Sequence, residues 1–204
     1  MRRRDLWTHP TVVAMMLGCA ALLLAAWRLG VLHGAWPLLL LLLLLPVALA
    51  PLVEFGLHRF VLHAPLPARD GLRRRLQVEL HHAHHAEPRD VARLFWPAWA
   101  LVPLAAVTYG AYALLFGPRV ALVPMAGSVG YFVFYEWMHF SHHDPAYRPR
   151  TRYGARMRRA HMHHHYYNAS HWWGITNDLA DVLFRTGGGE AYPKPPRGNP
   201  RSLR

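Results

Sequence analysis

Cysteine and acidic side chains are scarce in this 204-residue sequence. Its single cysteine, Cys19, lies in an apolar run, so no internal disulfide can form and no thiolate cluster can hold a metal. Any bound metal must take nitrogen and oxygen ligands. Only 11 Asp and Glu stand against 23 Lys and Arg, for a formal charge of +12. Lysine itself is nearly missing, and the use of Arg in its place, with short loops, suggests a bacterial protein. The charge alone would suit a nucleic-acid partner, but no nucleic-acid-reading element is recognisable and no such partner is expected. Solenoid-type repeats are absent as well.

What is abundant is apolar sequence, 53% of the residues, gathered into blocks with the basic residues between and after them. Four blocks have the length of about 20 residues that a helix needs to cross a bilayer: Thr11 to Trp27, Val31 to Phe55, about Leu94 to Phe116, and Val120 to Met138. The second holds an unbroken leucine run ending at Pro46, with Pro37 and Pro51 expected to mark its ends or a kink. The turn Gly117-Pro118-Arg119 can join only antiparallel neighbours, which makes the last two blocks a hairpin. The basic start Arg2-Arg3-Arg4 resembles a signal peptide, but no small-residue cleavage site follows and a second span comes at once, so a retained anchor is expected. Of the 23 Lys and Arg, all but Arg28 and Arg119 fall on one side, which is therefore the cytoplasm. The expected fold is all-α: four transmembrane helices with a cytoplasmic helical cap. An N-terminal arm spans 1–10, the first hairpin 11–55, the catalytic region 56–186 with the second hairpin at 94–138, and a disordered tail 187–204.

Fourteen of the 16 histidines lie between His58 and His171, at or beyond the cytoplasmic span ends. They read His58 and His63; His81, His82, His84 and His85; His139, His142 and His143; His161, His163, His164 and His165. On a helix, residues three and four apart share a face, so His81 with His84 and His85, and His161 with His164 and His165, each form a fan of three imidazoles. His139 and His143 make an i,i+4 pair. The five-residue step from His58 to His63 does not stack on a straight α-helix, so an irregular turn or helix end is expected there. A disordered metal-sequestering tract would carry histidines without such spacing discipline. About ten imidazoles exceed what one ion can coordinate, so two metal ions are implied. His82, His142 and His163 fall off the repeated pattern, and their roles, like that of His171, stay open.

The sequence from Glu54-Phe-Gly-Leu-His58-Arg-Phe-Val-Leu-His63 through HxxHH, HxxxH and a second HxxHH, followed by Gly174-Ile175-Thr176 and Asp181-Val-Leu-Phe184-Arg-Thr186, resembles the fatty acid hydroxylase and sterol desaturase superfamily. Within it the likeness is to fatty acid 2-hydroxylases. The resemblance implies ten metal ligands, His58, His63, His81, His84, His85, His139, His143, His161, His164 and His165, holding two iron ions, with zinc a possible occupant on isolation. It implies an O2-dependent monooxygenase acting on a lipid or fatty acyl substrate. Electrons would come from a cytochrome b5 or ferredoxin type carrier, here a separate protein since no fused cytochrome b5 domain is seen. Sterol or carotenoid oxidation and desaturation are the alternatives within the superfamily. A bacterial inner membrane, with the site on the cytoplasmic side, is the expected location.

Rivals of another class are a metal transporter, which usually places ligands at the membrane midplane, and a zinc hydrolase, which needs only three protein ligands. Glu136, one turn before His139, reads either as a group that hydrogen-bonds a ligand imidazole or sits near the metals in support of them, or as a solvated helix-end carboxylate, and Glu54, four residues before His58, carries the same readings. Asn177, Asp178 and Asp181 are expected to cap or orient a helix. Tyr166, Tyr167, Trp172 and Trp173 read as interfacial anchors or as a lipid entrance. The arginines from Arg148 to Arg159 read as topology determinants or as a surface for anionic lipid or an acidic carrier.

Overall fold

In a computed structural model of the chain, residues 3–67 and 69–187 are described, and every regular element among them is helical. The expected disordered tail lies, beyond Gly187, outside the described residues. A short helix α1 (Arg3–Trp7) leads into α2 (Pro10–Arg28), and a tight turn returns the chain as α3 (Trp36–Gly56). After a π-helical turn at Leu57–Leu62 come α4 (Leu72–Gln77), a second π-helical turn at Val78–His82, α5 (Ala83–Ala86) and α6 (Val91–Leu94). The long hairpin follows as α7 (Ala98–Phe116) and α8 (Leu122–His143), then α9 (Arg152–Tyr166) and α10 (Leu179–Leu183).

Among the described residues, three helical stretches are long and apolar enough to cross a membrane: Pro10–Arg28, Trp36–Leu62 and Val91–Phe116. Their outer faces leave Leu17, Leu41 and Leu114 at 66%, 67% and 90% exposure, a surface that suits hydrocarbon and not water. The expected fourth span, α8, matches them in length but not in apolarity, because it is the centre of the bundle. Its main packing is against α2 and α3, and it buries Val123, Met125, Ala126, Met138 and Phe140. It follows α7 through the short turn at Gly117, and its far end lies among the histidines of the cap.

The second span begins at Trp36 and not at Val31, where a 3-10 turn follows Gly30 in the left-handed region (φ 73). Pro37 sits in the first helical turn, where its missing N–H is no loss. Pro46 and Pro51 lie inside α3, so Pro51 does not end it. The row Leu42, Pro46, Ala50, Glu54 and His58 runs down the buried side of this element at intervals of four. At the α3–α8 crossing a Cβ on Gly127 would lie 2.2 Å from the Leu43 carbonyl oxygen, so only glycine permits this approach. Leu6, Val12, Leu94, Phe95 and Phe140 form the apolar cluster that ties α1 and α6 to the histidine end of the bundle.

Candidate metal centre

The step from His58 to His63 is resolved by backbone geometry. Leu57–Leu62 is π-helical, and the His63 N–H donates to the His58 carbonyl at 3.0 Å. A π turn brings residues five apart onto one side, as an α turn does for residues four apart, so both imidazoles point the same way. The second π turn, Val78–His82, directly precedes the first HxxHH cluster.

Ten histidines converge as two groups that could each hold a metal ion. One comprises His58, His63, His81, His85 and His164; the other comprises His84, His139, His143, His161 and His165. Within each, one ligand atom per residue lies within 4.8 Å of all the others. Each HxxHH segment is split between the groups, and the split is reciprocal: His81 and His85 stay together while His84 crosses, and His161 and His165 stay together while His164 crosses. The fans expected from spacing therefore divide. At 3.6 residues per turn, positions i and i+4 point about 40° apart while i+3 and i+4 point about 100° apart, so the middle histidine faces a different centre. The groups share a wall, where the His85 and His165 rings stack with centroids 4.0 Å apart.

The donor set fits a cation. His63 Nε2 lies 2.7 Å from His81 Nε2, 3.1 Å from His164 Nε2 and 3.2 Å from His85 Nε2. In the other group His84 and His139 meet at 3.0 Å and His143 and His161 at 2.8 Å, again through Nε2. One imidazole nitrogen carries a single hydrogen or a single lone pair, so three such contacts at His63 cannot all be hydrogen bonds. Ligand nitrogens placed about 2.1 Å from one ion at near right angles would stand about 3 Å apart. In the first group the ring orientation is set from behind. His58 Nδ1–H donates to the Trp173 carbonyl at 2.5 Å and His164 Nδ1–H to the His171 carbonyl at 2.8 Å, which turns both Nε2 atoms inward.

Burial, with nearby imidazoles adding to it, pushes His84 and His164 down to about 4, His63 to about 3 and His85 to about 2, and lowers His81, His161 and His165 as well. These imidazoles are neutral at neutral pH, as metal ligands must be. In the unfolded chain they would titrate near 6.5, so acid is taken up first by the unfolded state. Their contribution to stability is complete above that value and is lost as pH falls toward the folded values. The thermal midpoint of the chelator-treated protein is thus expected to hold level above pH ~6.5 and to drop steadily toward pH ~4. A midpoint unchanged across that window would contradict this account.

The acidic residues do other work than the spacing suggested. Glu54 is buried and not a solvated carboxylate: it accepts hydrogen bonds from the Ile175 and Thr176 N–H groups at 3.0 Å, from the Thr176 hydroxyl at 2.6 Å and from the Tyr131 hydroxyl at 2.5 Å. Asp181 accepts from the N–H groups of Trp173 and Gly174 and from the Thr186 hydroxyl, at 3.0, 2.7 and 2.7 Å. Together they pin the loop whose Trp173 carbonyl orients His58. A Cβ on Gly174 would fall 1.8 Å from the Asn177 carbonyl oxygen, so this loop closes only around glycine. Asp178 pairs with Arg156, and Asn177 accepts from Leu179 N–H at 3.3 Å at the start of α10. Glu136 is fully buried and not a solvated carboxylate; its Oε1 accepts from the Trp96 N–H at 3.3 Å, and its Oε2 has no hydrogen-bond partner among the described residues.

Outside the two groups, His142 is buried while His82, His163 and His171 are half-buried. Trp173 is buried edge-on against His58, with His63 and His164 also in ring contact, whereas Tyr166 and Tyr167 are exposed. Arg158 clamps the loop after α8 by donating to the carbonyls of His142, Asp144 and Tyr147. Beside the first histidine group lies an apolar cavity of about 290 Å³. It is lined by residues of α3, α7 and α8 and reaches His58 and Glu54. No single block of sequence signals it, since its wall is assembled from separate spans.

The fatty acid hydroxylase family model matches residues 41–186. The chain is 29% identical to the dihydroceramide fatty acyl 2-hydroxylase FAH2 of Arabidopsis thaliana over 66% of its length, and 32% identical to the ceramide very long chain fatty acid hydroxylase SCS7 of Saccharomyces cerevisiae over 66%. It spans 55% of the first relative and 35% of the second. A solved structure of full-length scs7p, in which only the hydroxylase domain is visible, superposes with a TM-score of 0.72 at 29% identity, covering 83% of this chain and 64% of that one.

Proposed function

We propose that this chain, which belongs to the fatty acid hydroxylase family, is a di-iron membrane monooxygenase that hydroxylates a lipid acyl chain. The observation that carries the proposal is the gathering of ten histidines into two five-histidine groups, the first of which reaches an apolar cavity through His58. The first ion would be held by His58, His63, His81, His85 and His164, and the second by His84, His139, His143, His161 and His165. When bound, iron would supply the one-electron and O2 chemistry that no side chain here can provide. Zinc, which binds such sites more tightly along the divalent series, is a substitute to expect on purification.

The reaction balances as one C–H bond and one O2, with two electrons and two protons, giving one C–OH bond and one water. The electrons come from a carrier of cytochrome b5 or ferredoxin type. The chain's own residues keep the imidazoles neutral by burial, orient His58 and His164 through backbone carbonyls, and exclude water with the apolar wall of Leu57, Leu62, Phe132 and Ile175. The excess of arginine on the histidine side supports a cytoplasmic active site, in a bacterial inner membrane.

Lipid mass spectrometry on cells expressing the protein, beside a His84→Ala, His164→Ala double variant, tests this. The expected result is an O2-dependent gain of one oxygen in an acyl chain that disappears in the variant. Unchanged lipids, with cellular metal content shifting with the same histidines, would overturn the proposal in favour of metal handling.

A further inference from the structure

The inward stripe of α7 consists of Leu101, Leu104, Ala105, Thr108 and Tyr112, spaced three and four apart as for a helix packed on a neighbour. All five line the cavity. The residues between them face outward, with Val102 and Val107 at 68% and 72% exposure. α7 packs on α8, but it shares no extensive contact with α3, although both helices wall the same space. Leu49 and Val53 on α3 line the cavity and are also exposed, so they stand at a seam between α3 and α7 that opens toward the bilayer.

The two ends of the cavity differ. Near the cap it meets His58, Glu54 and Trp96; at the other it meets Met125 and the pair Tyr112 and Ser128, whose hydroxyls hydrogen-bond at 3.0 Å across α7 and α8. Leu101 and Tyr112 are eleven residues apart on one helix, so this stretch runs about 16 Å along the axis of α7.

Resting on the hydroxylase reading, we propose that a bilayer lipid slips its acyl chain in through the α3–α7 seam, with its polar head left at the histidine end, and that the Tyr112–Ser128 pair is the stop that sets the longest chain accepted. The methyl end points at the stop and the carbon beside the polar end lies nearest the metals.

The ratio of hydroxylated to unmodified acyl chains at each chain length, measured in cells, tests both parts. Thr108→Phe shortens the cavity, so this ratio should fall for the longest chains by about tenfold relative to the shorter ones, the scale on which apolar pockets discriminate single methylenes. Tyr112→Ala removes the stop and should raise it for longer chains. Opposite shifts cannot come from destabilisation alone. Leu49→Trp, at the seam, should lower product at every length without changing the distribution or the bound metal. Distributions in both cavity variants matching the unaltered protein would overturn the stop, and full product from Leu49→Trp would overturn the seam. If the unaltered protein yields no hydroxylated lipid, the hydroxylase reading itself fails and this inference with it.

Discussion

His84→Ala is expected to empty one metal site and leave the other filled, so that bound metal falls from about two ions per chain to about one and acyl hydroxylation falls by at least about 100-fold. The expectation follows from the crossing of His84 away from His81 and His85, its sequence neighbours, to join His139, His143, His161 and His165. Two double variants separate this arrangement from a local fan. His84→Ala with His139→Ala removes two ligands of one site and should still leave about one ion. His84→Ala with His81→Ala weakens both sites and should lose more. Metal counting on purified protein, beside His164→Ala as the reciprocal single change, decides it. Equal losses in the two double variants would refute the partition.

Asp181→Ala is expected to destabilise the protein by about 3 kcal/mol, since it strands two buried backbone N–H groups and a hydroxyl, each costing about 1–3 kcal/mol before relaxation. The consequence extends beyond stability. Trp173, whose N–H loses its acceptor, supplies the carbonyl that fixes His58, so the group containing His58 should lose metal affinity more than the group containing His139. Leu183→Ala, at a 65% exposed position on the same short helix, should change neither. A thermal midpoint of Asp181→Ala equal to that of the unaltered protein would show that the loop is held by other means.

Much of the architecture was legible in the residue order because its causes are local. Apolar length marks α2, α3 and α7, and Gly117-Pro118 marks their hairpin partner α8, whatever the tertiary packing does. The histidines that gather in the two groups are those whose spacing stood out. Where reading by spacing went astray, a long-range contact is the reason. Glu54 is four residues from His58, but its hydrogen bonds go to Ile175, Thr176 and Tyr131. Glu136 is one turn from His139 and buried, not solvated, and the Trp96 N–H on its Oε1 comes from a distant part of the chain. Pro51, expected to mark an end or a kink, does not end the helix, since α3 continues through it to Gly56.

By itself, the sequence determined a helical, membrane-spanning chain, a metal donor set of nitrogen and oxygen imposed by the scarcity of cysteine, and a number of imidazoles too large for one ion. These follow from composition and from periodicities of three, four and about twenty residues. Tertiary structure alone decided which imidazole belongs to which centre, that a π turn brings His58 and His63 together, that Glu54 and Asp181 serve the Trp173 loop, and that α3, α7 and α8 enclose an apolar cavity. The physical reason is that side-chain direction along one helix is set by its pitch, whereas the meeting of two directions depends on how separate helices cross.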